Sequence, residues 1–227
     1  EPKQLLAADV AVQFSDLVLD TTDPTTVAIE GKFEDNEVSG AVVKFETNAP
    51  LDDPDFYVEL TSDNSTPLTN ANFLSYVNSG AYDNSIFHKS VLSFGIQGGG
   101  YKAPTEAANH PDLTLSEPVA IANTGTIQNE PGNPNTRGTI AMAKPETNPE
   151  GASSQFFFNL GDNNLDQSGN PGGFLDSING GYTQFGSVLG SGMTVVDSMN
   201  QTLTFQADTY YGNTDFEEGL PLYNWGV

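Results

Sequence analysis

The chain has 227 residues, seven Lys and Arg against thirty Asp and Glu, a formal charge of −23 and no cysteine. Phosphate neutralisation needs basic residues and none follows Lys144, so nucleic-acid partners and anionic membrane surfaces are excluded. The missing cysteine excludes a disulfide scaffold, a thiol nucleophile and thiolate metal sites, and apolar runs such as Gln155-Phe156-Phe157-Phe158 fall far short of the ~20 residues of a membrane helix.

The acidic surplus reads as a solvated surface whose like charge favours a soluble monomer. A cysteine-free chain also suits passage through an oxidising compartment. A periplasmic or secreted location, with a leader removed, is the expectation.

In chain order, residues 1–40 mix short apolar stretches (Val10-Ala11-Val12-Gln13-Phe14, Val27-Ala28-Ile29) with acidic turns and read as an N-terminal extension. Ala41-Val42-Val43-Lys44-Phe45-Glu46 and Phe56-Tyr57-Val58-Glu59-Leu60 show strand-like alternation between turn residues. Thr66-Pro67 opens the clearest helix, with Thr66 as N-cap and Pro67 in the first turn, where its missing N–H costs nothing. Leu68, Ala71, Leu74 and Val77 follow at helical spacing, and Gly80 stops the helix. Two polar loops, 101–126 and 161–181, are long enough to be functional. A second, shorter helix is predicted over 193–200. A mostly β fold with two helices is better read as a closed barrel capped by those helices than as a sandwich.

The stretch Asn72 to Gly100, NFLSYVNSGAYDNSIFHKSVLSFGIQGGG, is similar to the signature of the cyclophilins. A second block, Arg137-Gly138-Thr139-Ile140-Ala141-Met142-Ala143, is followed by Ser154-Gln155-Phe156-Phe157-Phe158. A third is Phe185-Gly186-Ser187-Val188, followed by Gly192-Met193 and Val195-Val196-Asp197. Order and spacing resemble those of bacterial, periplasmic-like members. The resemblance covers 41–203, leaving 1–40 and 204–227 as terminal extensions of one domain. It implies an eight-stranded antiparallel β-barrel closed on itself and capped by two helices. It also implies a peptidyl-prolyl cis/trans isomerase that acts on proline-containing unfolded or extended polypeptides in protein folding, without cofactor or metal.

By the same resemblance, Phe94, Phe157 and Leu165 form the proline pocket, and Gln97 and Gln155 hold the substrate backbone. Ala143 and Lys144 lie at the next subsite, and Tyr182 stands where many members carry His. Aromatic rings offer proline flat apolar surface, and glutamine offers a peptide both donor and acceptor. Three positions depart from the family pattern. Lys89 replaces the catalytic arginine, keeping charge and donors but losing the planar fork, so reduced activity is expected. Gly95 replaces a methionine of the pocket. Asn164 replaces a tryptophan that binds cyclosporin in eukaryotic members, so weak or no cyclosporin binding is expected. His88 has its family position and a structural role.

Other chemistries fit less well. There is no Gly-x-Ser-x-Gly, and only His88 and His110 are available as a base. Asp162, Asn164 and Asp166 alternate as in a calcium loop, but Gln167 falls where Gly is required and Gly173 where Glu is. The competing reading is a non-enzymatic barrel that holds proline-containing chains, a chaperone rather than a catalyst.

Overall fold

Short antiparallel strands, several of them alternating apolar and polar residues, are the main regular elements among the described residues. The computed structural model describes residues 38–103, 118–166 and 168–201, together with the backbone of five short terminal strands. In chain order the elements are β1 (Gln4–Leu5), β2 (Ala7–Asp9), β3 (Gln13–Phe14), β4 (Val42–Thr47), β5 (Phe56–Leu60), α1 (Pro67–Asn78), β6 (Ser85–Ile86), β7 (Lys89–Val91) and β8 (Gly95–Gly98). They continue as β9 (Tyr101–Lys102), β10 (Val119–Ala120), β11 (Thr139–Met142), β12 (Phe156–Asn159), β13 (Gln184–Val188), α2 (Gly192–Asn200), β14 (Thr204–Phe205) and β15 (Leu220–Tyr223). Two 3₁₀ turns, Phe174–Asp176 and Ile178–Gly180, precede β13. The stretches Val10–Val12 and Val27–Ile29, His110, and Gln167 of the calcium-like loop lie outside the described residues.

Twelve strands join in one antiparallel sheet, ordered β10-β9-β6-β2-β4-β5-β13-β11-β12-β8-β7, with β3 also on β4. Among the described residues its two ends, β10 and β7, do not pair with each other. This corrects the expected barrel: the fold is mostly β with two α-helices, but the sheet is curled and open rather than eight-stranded and closed. The end strands are two and three residues long, too short to carry the ladder round. The helices seal the core instead. Of the terminal segments, β2 lies inside the sheet between β4 and β6, and β1, β15 and β14 form a separate three-stranded sheet.

The core is aromatic. Phe45 stacks on Phe56 at 4.8 Å, Phe73 meets Phe156 edge-on at 5.5 Å, and Phe158 stands edge-on to both Phe45 and Phe56 at 5.4 Å. Such pairs add about 0.5–1.5 kcal/mol each beyond the area they bury. The outward neighbours Lys44, Glu46, Tyr57 and Glu59 are only partly covered, so strands β4 and β5 have one wet face. Lys44 ion-pairs there with Glu46 at 2.6 Å and Asp55 at 2.8 Å.

Helix α1 starts at Pro67 as its sequence predicts, but its cap comes from elsewhere. Thr66 makes no side-chain cap bond. The Glu130 carboxylate accepts from Leu68 N at 3.1 Å and Thr69 N at 2.8 Å, placing a negative charge on the positive end of the helix. The buried face also turns from the one expected: Thr69, Phe73, Tyr76 and Val77 face the core, while Leu68 is exposed. Gly80 ends the helix at φ 67°, in the left-handed region that suits glycine.

The remote cap sets a measurable expectation. Glu130→Ala should lower stability by about 1–2 kcal/mol, the usual range for a lost cap carboxylate. Glu130→Gln should recover part of it, because an amide oxygen still accepts. Urea denaturation of the three proteins measures both.

Candidate active site

Strand β12 shows how the sheet separates core from site. Phe156 and Phe158 point into the core, so Phe157, between them, faces the other side, because side chains alternate along a strand. Register then carries that face across four strands. Ala141 on β11 pairs with Phe157, Phe157 with Gln97 on β8, and Gln97 with Lys89 on β7. From this row Phe157, Gln97 and Lys89 line a groove of about 800 Å³, and Ala141 lies buried behind Phe157. Lys89, Val91, Phe94, Gly95, Gln97, Ala143, Lys144, Gln155, Phe157 and Tyr182 all line it. A Cβ on Gly95 would stand 3.1 Å from the Phe158 carbonyl oxygen and 3.6 Å from the Phe157 ring, so this strand lies too close to β12 for an easy side chain.

The polar groups of the floor are held in place. Gln97 Nε2 donates to Gln155 Oε1 at 2.6 Å and lies 3.3 Å from His88 Nε2. His88 is buried and edge-on to Tyr101 at 5.1 Å, a structural placement behind Gln97. Signature residues in and just after α1 anchor the turn before β12: Asn72 Nδ2 donates to Ser153 O at 2.6 Å and Tyr82 OH to Ser154 O at 2.6 Å. Burial pushes the Tyr82 hydroxyl well above the ordinary tyrosine range, so it stays a neutral donor. Gly99 sits at φ 76°, where a Cβ would collide with the Ser154 carbonyl oxygen at 2.4 Å. Arg137, from the second block, is likewise structural: it donates to Leu160 O at 2.7 Å and ion-pairs with Asp197 at 2.6 Å.

One wall differs from the sequence reading. Asn164 and Leu165 do not line the groove; Phe174, Leu175 and Ile178 do. Leu175 packs with Ala141 and Phe157, with Phe94, Ala143 and Tyr182 against them, which is the position expected for Leu165. Asn164 is buried within its loop, its carbonyl accepting from Gly173 N at 2.8 Å, and Leu165 bridges to Pro171. The signal for the correct pair was present: Leu165-Asp166 and Leu175-Asp176 repeat ten residues apart, and only the second follows a phenylalanine. Asp162 accepts from Arg137 N at 3.0 Å, and Asp166 accepts from Ser168 N and Asn170 N, so these carboxylates shape loops. Among the described residues no three His, Cys, Asp or Glu cluster as a metal site, and no helix is long and apolar enough to cross a membrane.

Lys144 lines the groove but is bonded into its wall. Its ammonium donates to the carbonyls of Pro149 at 3.2 Å, Asn179 at 3.0 Å and Gly181 at 2.6 Å. It also lies 5.0 Å from the centre of the Tyr182 ring. Burial holds it below the usual lysine range, partly opposed by the Glu150 carboxylate.

Beneath the Leu175 wall runs a buried polar chain that sequence reading missed entirely. Asn163 Nδ2 donates to Phe94 O at 2.8 Å and Asn159 Oδ1 at 2.7 Å. Asn159 Nδ2 donates to Thr139 Oγ1 at 2.9 Å and Asn135 Oδ1 at 3.2 Å. Asn135 in turn gives its backbone N–H and its side-chain N–H to Asp176, each at 2.9 Å. The chain thus ties Phe94, β12 and the Leu175 segment together.

Known proteins resemble this chain over much of its length. Residues 42–216 match the family model "Cyclophilin type peptidyl-prolyl cis-trans isomerase/CLD". A peptidyl-prolyl cis-trans isomerase of Acinetobacter baylyi is 39% identical over 140 residues, 60% of this chain and 62% of that protein, so the chain spans less than two thirds of that relative's length. Peptidyl-prolyl cis-trans isomerase B of Escherichia coli is 38% identical over 148 residues, 63% of this chain and 77% of that protein. A solved cyclophilin type peptidyl-prolyl cis-trans isomerase of Cryptosporidium parvum, crystallised in the presence of the dipeptide Ala-Pro, is 26% identical with a TM-score of 0.47, covering 67% of this chain and 82% of that one.

The buried chain carries a test of how the wall is held. Asn163→Ala strips a donor from two buried acceptors, so stability should fall by about 1–3 kcal/mol. The Phe94 carbonyl would still accept from Leu160 N, which limits the loss there. Denaturant melts give the stability change. If the melt is unmoved, Asn163 does not hold the wall.

Proposed function

The chain belongs to the cyclophilin-type peptidyl-prolyl cis-trans isomerases, and on that premise we propose that its groove accelerates X-Pro isomerisation in unfolded or extended polypeptides, with Lys89 as the donor that the family's arginine otherwise supplies. The observation that carries this reading is the registered row Ala141-Phe157-Gln97-Lys89. It sets a lysine two strands from the phenylalanine of an apolar pocket on a single face.

The physical task is modest in parts. Twisting the amide destroys its resonance, which costs ~18–20 kcal/mol. In the twisted state the prolyl nitrogen regains a lone pair and the amide becomes less polar. An apolar floor of Phe94, Phe157 and Leu175 favours that state over the planar one. An ammonium that donates to the nitrogen only once it is pyramidal stabilises the transition state selectively. Gln97 and Gln155 hold the flanking backbone, so no nucleophile or proton relay is needed. Lysine lacks arginine's fixed fork and cannot hold carbonyl and nitrogen together in one plane, which supports a slower enzyme than an arginine-bearing one.

A proline-limited refolding assay, or isomerisation of a short X-Pro peptide, tests the activity directly. Lys89→Ala should cut kcat/KM by about tenfold to a thousandfold, the range for loss of one preorganised donor, with circular dichroism unchanged. Lys89→Arg should raise it. Binding of proline peptides without acceleration at micromolar protein would instead make the chain a holding module.

Cyclosporin should bind weakly. Asn164 is buried in its loop, and Phe174 at the rim offers a ring without an indole donor. Loss of an anchoring tryptophan commonly costs about 2 kcal/mol or more, upwards of tenfold in affinity. Phe174→Trp should tighten inhibition by that factor, whereas nanomolar inhibition of the unmodified protein would contradict the expectation.

A further inference from the structure

The turn Ile178–Gly180 is held from both sides of the groove mouth. Lys144 Nζ binds the carbonyls of Asn179 and Gly181 and, on the facing loop, that of Pro149. Asn179 Nδ2 returns a bond to Pro145 O at 3.0 Å. Asn129 Nδ2 holds the carbonyls of Gly180 and Gly181 at 3.0 and 2.9 Å. Just before the turn, the Asp176 carboxylate is fixed by Asn135. Within this short span two residues other than glycine sit in the left-handed region, Phe174 at φ 39° and Asn179 at φ 49°. For phenylalanine that conformation is a genuine outlier, and such strain persists only where the surroundings over-determine it.

The clamp keeps two large apolar side chains half in water. Phe174 and Ile178 are each 44% exposed, and both line the groove. Phe174 lies edge-on to Phe94 at 5.8 Å, and Phe94 packs against the Ala141, Phe157 and Leu175 cluster. The lip is therefore continuous with the proline pocket, and a side chain next to a bound proline is the group within its reach. Apolar surface held rigidly open beside an apolar pocket gains by covering a partner's apolar surface, and little ordering entropy remains to oppose it.

We infer that Ile178, held over the groove mouth by the Lys144 clamp, is a specificity-determining residue that selects substrates with a large apolar side chain beside the proline. Lys144 acts through Ile178 and is a positioning residue. The inference rests on the groove being the site for X-Pro peptides, and the test separates the two.

Peptides identical except for leucine or glycine beside the proline, placed once before it and once after it, are compared by kcat/KM in an isomerisation assay and by Kd in fluorescence anisotropy. The unmodified protein should favour leucine over glycine by about tenfold at one of the two positions, a typical discrimination for an apolar subsite. Ile178→Ser should bring that ratio close to one. Lys144→Met should reduce it too, acting on KM more than on kcat, and Lys144→Arg should restore part of the preference. A leucine-to-glycine ratio that Ile178→Ser leaves unchanged overturns the lip; an unchanged ratio in folded Lys144→Met overturns the clamp. Preferential binding without isomerisation upholds the lip and refutes the isomerase reading. Isomerisation without preference does the reverse.

Discussion

A strand has a repeat of two residues, and on β12 that repeat divides the molecule. Phe156 and Phe158 enter the aromatic core while Phe157 and Asn159 leave it for the other face. A one-residue slip of β12 against β8 would bury Phe157 among the core rings and send Phe156 and Phe158 into the groove. Core and site are therefore specified by the same register. The energy that resists the slip is the packing of Phe45, Phe56, Phe73 and Tyr82 around Phe156 and Phe158. The groove residues contribute little to that packing and are free to be chosen for chemistry.

The other wall is built differently. Among its described residues the segment 161–182 has two short 3₁₀ turns and a single bridge, Leu165 to Pro171, but no strand ladder to hold it. It is fixed through side chains instead: Asn163, Asn159 and Asn135 below the floor, Lys144 and Asn129 at the mouth. Each buried amide in that chain has partners for most of its donors and acceptors, the condition under which a polar network rigidifies rather than weakens. One half of the groove thus depends on strand register and the other on a handful of amides and one ammonium.

This division explains what could be read in advance. The strands β4 and β5, the start of α1 at Pro67 and the groove residues of β7, β8 and β12 follow from alternation, helix-start chemistry and three ordered motifs, all local in sequence. Leu175 was missed for Leu165 because two Leu-Asp pairs competed in one loop and no periodicity exists there to choose between them. The α1 cap was assigned to Thr66 because a local cap is the default, whereas Glu130 lies 62 residues away from the Leu68 it caps. Barrel closure was expected from the count of helices and from the resemblance, and not from any strand at the sheet's ends, where β10 and β7 are too short to complete it.

The amide pair in the groove floor has one further consequence. Gln97 places its nitrogen between Gln155 Oε1 and His88 Nε2; with the proton of His88 on Nδ1, both Gln97 donors are engaged inside the protein and its oxygen is what remains to offer. Gln155 accepts through its oxygen and keeps its nitrogen to offer. Turning both amides over at once keeps the bond between them, and a proton on His88 Nε2 then donates to the Gln97 oxygen. An acceptor followed by a donor matches a peptide's N–H and C=O in one direction of travel and mismatches the other. The direction in which the pair suits a peptide is therefore coupled to the tautomer of a buried imidazole that need never touch the peptide.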